Sequence, residues 1–167
     1  MVKDQFIGSV LEFDFGDFFA YALVTHSHKK FGHLLRLFKP KFNERVSDIE
    51  GLPKTGIRMS VYFPLKYVSK NQRPKMIGKI PLSDNDLKLP KFKSAGLFTP
   101  GEKAKGWRII DGEDEIWVEK LTEEMSHYSP NGVLNYAFIK EIYEHDLYPN
   151  SPDFLNQGPL DFEPSNL

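Results

Sequence analysis

The chain has 167 residues, 40% of them apolar and 27% charged, a size that suits one ordinary domain. It has no cysteine, which excludes thiolate catalysis, disulfides and thiolate-held zinc and suits a reducing compartment. Its net charge of −1 hides a division: residues 1–110 hold 20 Lys and Arg against 10 Asp and Glu, and residues 111–167 hold 2 against 13.

The N-terminal segment carries Glu12, Asp14 and Asp17 where an export signal needs an unbroken apolar core. The longest apolar run, Phe18 to Val24, is far too short to span a bilayer. Both features predict a cytoplasmic protein with no membrane segment. Asp17 to Val24 reads as a buried strand bounded by Gly16. His26 to Lys30 is polar and reads as a turn, and Phe31 to Phe38 as the returning strand that Pro40 ends. Residues 39–56 are charged and aperiodic, a loop with room for one helical turn.

Ile57, Met59, Val61 and Phe63 alternate with Arg58, Ser60 and Tyr62 in a strand from Ile57 to Val68, where Pro64 marks a bulge or an edge. Met76 to Leu82 is a short strand, and residues 83–105 are a long loop rich in Lys, Pro and Gly. Trp107 to Ile110 and Ile116 to Leu121 form a hairpin about the turn signal Asp111-Gly112. Leu134, Phe138 and Ile142 recur every fourth residue, with Val133 and Ala137 beside them. They predict a helix starting at Ser129 or Asn131 and running to about His145, stopped by Pro149 and Pro152. Strands first and a helix last predict a mostly-β domain of the α+β class over residues 1–150. The architecture expected is a strongly bent antiparallel sheet or small barrel with the C-terminal helix packed on it. A polar, proline-rich tail follows at 151–167.

Little in the sequence carries catalytic chemistry. His26 and His28 share one face of an extended segment, but Lys29 and Lys30 follow them and oppose a cation. Gly96 to Gly101 lacks the Lys and hydroxyl of a phosphate-binding loop, and Ile116 and Thr122 stand where a calcium loop from Asp111 needs Gly and Glu. No catalytic residue, metal or cofactor is expected. Two charged stretches remain. Glu113, Asp114, Glu115, Glu119, Glu123 and Glu124 cluster near Trp117, a pattern that suits a mimic of nucleic acid, a surface for the basic patch of a protein partner, or a solvated hairpin and helix termini. Lys29, Lys30, Arg36, Lys39, Lys41 and Arg45 interleave with Phe31, Phe38 and Phe42, as on a nucleic-acid face or on a strand whose rings lie in the core.

The order of motifs resembles the immunity protein 26 family of bacterial polymorphic-toxin systems. The residues are Gly16-Asp-Phe-Phe-Ala-Tyr21, Ile77-Gly-Lys-Ile-Pro-Leu82, Gly106-Trp-Arg-Ile-Ile-Asp-Gly112 and Ile116-Trp-Val118 before Leu121-Thr122. The resemblance spans roughly residues 14–148 and departs from the pattern in the lysine-rich stretch at 83–105. It implies a non-catalytic cytoplasmic protein that binds and neutralises a toxin. It implies no catalytic or metal-binding residue. The acidic stretch is then the expected contact surface, and nucleic-acid binding through a small barrel's basic face is the alternative.

Overall fold

Phe19 to Val24, all but the first residue of the longest apolar run, lie in the middle strand of a five-stranded sheet, in a computed structural model that describes residues 4–164. In chain order the elements are β1 (Ser9–Asp14), β2 (Phe19–His28), β3 (Gly32–Phe38), β4 (Ile57–Phe63), β5 (Lys75–Lys79) and α1 (Asp84–Leu87). There follow β6 (Phe92–Ala95), β7 (Trp107–Asp111), β8 (Asp114–Val118), α2 (Glu123–Ser126), β9 (Ser129–Pro130), α3 (Tyr136–Glu144) and α4 (Pro152–Leu155). They group into two compact units, one of residues 1–88 and 132–146, the other of residues 89–131 and 147–167. The α+β, mostly-β class is as the sequence reads.

In the first unit the order β4-β3-β2-β1-β5 is antiparallel throughout, and the sheet is open rather than closed into a barrel. β2 is buried on both faces, which is why it reads as a continuous apolar run instead of an alternation. On one face Val10, Tyr21, Leu23 and Phe38 pack under Phe42, Val46, Ile49 and Leu52 of the 39–56 loop. On the other, Phe13 meets Phe63 edge-on and Tyr136 of α3 at 5.9 Å. The Tyr143 hydroxyl donates to the Phe38 carbonyl at 2.6 Å, so α3 packs on this sheet as expected of the C-terminal helix.

α3 starts later than its apolar spacing suggests. Gly132 and Leu134 make backbone hydrogen bonds with Tyr62 of β4, at 3.3 and 2.9 Å, which holds them extended. Asn135 is the cap instead, its side-chain oxygen accepting the Phe138 amide at 2.8 Å. The buried face is Ile139, Ile142 and Tyr143, while Ala137 and Phe138 are exposed. β1 escapes the sequence reading because Glu12 interrupts its apolar residues, yet Glu12 is itself buried.

The second unit is a four-stranded sheet in the order β8-β7-β6-β9, antiparallel except where β6 meets β9. Its core joins Trp107, Ile109, Leu121 and Leu155. Residues 151–164, expected as a polar tail, contribute α4 with Phe154 and Leu155 buried, and Leu160 bridges to Leu121. The Trp107 indole donates to the Pro159 carbonyl at 2.8 Å, and Gly158 leaves room for that ring. The tail is therefore part of the core. The stretch at 83–105 is likewise not all loop. Ser83 and Asp86 cap α1 reciprocally, and β6 forms the inner strand between β7 and β9.

Candidate functional site

The hairpin β7–β8 carries half of the acidic stretch. Asp111 and Asp114 close a two-residue turn in which Gly112 has a positive φ of 64° and Glu113 does not, the pattern of a type II′ turn. Among the described residues β8 is the last strand of its sheet and pairs only with β7. Side chains on a strand alternate between faces. Asp114, Ile116 and Val118 point to the face that holds Trp107 and Ile109. Glu115 and Trp117 point to the face of Arg108 and Ile110.

Every residue from Glu113 to Trp117 is exposed. Ile116 is 56% exposed although its cross-strand neighbour is the core residue Ile109. Trp117 is 54% exposed; its ring lies so close over Gly96 and Gly106 that a Cβ on Gly106 would sit 2.4 Å from it. One face of the indole is thus held by backbone and the rest meets solvent. Leu97 and Phe98, next to Gly96, are also exposed. The structure places all the predicted acids on the surface: Glu113, Asp114 and Glu115 on the hairpin, Glu119 just past β8, and Glu123 and Glu124 in the first turn of α2. Arg108 meets Glu115 at 3.4 Å, and Tyr128 donates to Glu124 at 3.3 Å. Glu123 and Glu124 also suit the helix N-terminus they occupy.

The basic stretch does not assemble into one face. Phe38 is in the core and Phe42 packs edge-on against Tyr21. Arg36 donates to the carbonyls of Asn85, Asp86 and Lys88. Arg45 binds Glu12 and Asp14, at 3.1 and 3.3 Å. Lys41 sits over the Phe18 ring. What remains is a cleft of about 280 Å³ at the turn after β2, lined by His28, Lys29, Lys30, Phe31, Lys66 and Tyr67 among others. Phe31 stacks on His28 with centroids 4.4 Å apart, and Tyr67 is 87% exposed. Asp4 pairs with His33 at 3.0 Å and Lys66 at 3.5 Å. Burial pushes its carboxyl up, but the Phe6 amide and His33 outweigh it and hold the pKa at about 2.

His26 and His28 are both engaged locally. His26 lies against the Thr25 hydroxyl and the Leu87 carbonyl, and His28 Nδ1 accepts the amides of Lys30 and Phe31. Among the described residues no three His, Asp or Glu gather as metal ligands, and no helix is long and apolar enough to cross a membrane. Sequence reasoning missed Lys93, which is 1% exposed in the second unit. Its ammonium donates to the carbonyls of Ser126, Tyr128 and Pro149. No family model, curated protein or solved structure matches the chain.

Proposed function

We propose that the chain is a non-catalytic protein-binding module whose contact surface is the acidic hairpin edge at residues 113–119. The observation that carries this reading is β8: an open sheet edge on which Ile116 and a backbone-supported Trp117 stand exposed among Glu113, Asp114, Glu115 and Glu119. A large rigid side chain flanked by charges is the composition of an interface anchor and its rim. The carboxylates select a basic partner and speed its approach. The resemblance to the immunity protein 26 family supplies the kind of partner, a bacterial toxin met in the cytoplasm.

The test is to capture the partner from native cell extract with the wild-type protein, then measure association with a Glu115→Lys, Glu119→Lys, Glu123→Lys variant. Rim charges act mainly on the rate of encounter, so the variant is expected to stay folded and to associate at least about tenfold more slowly at low salt, its stability lowered by about 1 kcal/mol through loss of the exposed Arg108–Glu115 pair and of Glu123 at the start of α2. Unchanged kinetics with the captured partner would sink this assignment of the surface.

A second reading, nucleic-acid binding, has one observation in its favour. The cleft at Lys29, Lys30 and Lys66 sets cations beside the exposed rings of Phe31 and Tyr67, the pairing that holds phosphates and stacks bases. It ranks second because Arg36 and Arg45 are already engaged within the unit and Asp4 offsets part of the charge of Lys66.

A further inference from the structure

The hairpin turn decides which backbone groups of β8 are free. In a two-residue hairpin the closing pair, here Asp111 and Asp114, exchanges both of its hydrogen bonds, and bonded pairs recur at every second residue. Asp114, Ile116 and Val118 therefore direct their N–H and C=O groups to β7. Glu115 and Trp117 turn theirs outward, where the sheet has no further strand. Among the described residues, neither makes a backbone hydrogen bond to a loop or turn elsewhere in the chain.

We infer that β8 receives an extended basic segment of the protein partner as an added strand of this sheet. The inference rests on the protein-binding reading and specifies its mode. Main-chain hydrogen bonds to Glu115 and Trp117 supply affinity, and the side chains that alternate on either face supply selection. Charge fixes the occupant. A second copy of β8 would bring Glu113, Asp114, Glu115 and Glu119 against the same residues, and like charges facing across a ladder destabilise it. A nucleic acid meets the same repulsion. A segment alternating Lys or Arg with apolar residues fits both faces. Its cations reach Glu115 or lie over the Trp117 indole, and its apolar residues cover Ile116. That last contact extends the core from Ile109 outward, which accounts for an isoleucine left half in water on a core-facing position.

The probe is a short synthetic peptide alternating lysine with valine and threonine, titrated into the full chain while amide exchange is followed by NMR. The amides of Glu115 and Trp117 are expected to slow at least about tenfold in the complex as they enter a ladder. Two variants separate backbone from charge. Glu115→Gln removes the carboxylate and keeps the outward amide; Glu115→Pro removes both, at an edge position that tolerates proline. The proline variant is expected to bind the peptide at least about fivefold more weakly than the glutamine variant, the worth of a lost hydrogen bond, with melting temperatures alike. A partner strand built on glutamate in place of lysine is expected not to bind. Equal binding by the two variants, or peptide binding without protection of Glu115 and Trp117, overturns strand addition and leaves the acidic surface as a charge-docking site. Absence of any peptide binding overturns it too, while the kinetics with the captured partner still decide the protein-binding reading separately. Equal binding of the lysine and glutamate peptides overturns the basic occupant.

Discussion

Lys93 shows how one residue can look solvated in a sequence and be central in a fold. An ammonium has three N–H groups, and this one meets three carbonyls, with Tyr128 at 2.8 Å and Pro149 at 2.6 Å. It thereby ties β6 to the end of α2 and to the segment before α4, all within the second unit. Burial pushes its pKa down from 10.5 to about 7. Lys93→Met keeps much of the volume but strands buried carbonyls, so a loss of about 3 kcal/mol or more is expected by denaturant titration. The pH dependence has a definite sign. Between about pH 7 and 10.5 the unfolded chain binds more protons at this site than the folded one, so stability rises with pH. Wild type minus Lys93→Met stability is expected to grow through that window and to be flat below pH 7. Trp107 makes a simpler case. It is buried, with its N–H bonded to Pro159, so Trp107→Ala is expected to cost about 3–5 kcal/mol and to lower the melting temperature sharply. The sequence announces only the second of these roles. A tryptophan beside Gly106 reads as core, but a lysine in a lysine-rich stretch carries no sign of three waiting carbonyls.

At the scale of elements, the strands with the cleanest pattern are the ones legible in advance. β4 alternates, β3 and β2 are apolar runs, and the β7–β8 hairpin announces its own turn. β6 has only Phe92 and Ala95 as apolar residues, and its neighbours are distant in sequence, so tertiary pairing rather than local preference makes it a strand. The helix start is the instructive error. Val133 and Leu134 belong to the apolar spacing, but the backbone of Gly132 and Leu134 is bonded to Tyr62, and the helix waits for the next capping residue. Asn135→Ala is accordingly expected to cost about 1 kcal/mol, and Asn131→Ala close to nothing, when their unfolding midpoints are compared. Equal effects would mean that the helix begins where its apolar spacing says. Gly106 tests the other end of the candidate site. Its Cβ would meet Trp117 at 2.4 Å and the Val118 carbonyl at 2.7 Å, both on β8. Gly106→Ala is expected to cost about 1–3 kcal/mol and to shift the emission of Trp117 as its ring is lifted from the backbone.

For the whole molecule, the division of charge along the chain is what the sequence shows most plainly and what separates the two functional readings. The acids at 113–119 are on the surface as their sequence suggests, because a hairpin turn and an edge strand have no interior to hide them in. The basic residues are not legible in the same way: which arginines stay available depends on carboxylates and carbonyls brought from β1 and α1. Salt dependence reads the outcome. Binding a mixed single-stranded oligonucleotide through the cleft would release counterions, and affinity would fall steeply as salt rises. Lys29→Ala with Lys30→Ala would then flatten that slope, and Tyr67→Ala would weaken binding by the worth of one stacked base, about 1–3 kcal/mol. Protein binding through β8 follows a different course. Salt slows association, because it screens the carboxylates over about 8–10 Å, but leaves much of the dissociation rate, which main-chain bonds and the Trp117 contact control. The expected outcome is that the wild-type chain ignores the oligonucleotide at physiological salt while its captured protein partner binds with a salt-sensitive on-rate. Tight oligonucleotide binding that Lys29→Ala and Lys30→Ala abolish would promote the cleft at Lys29–Tyr67 over the hairpin edge as the functional surface.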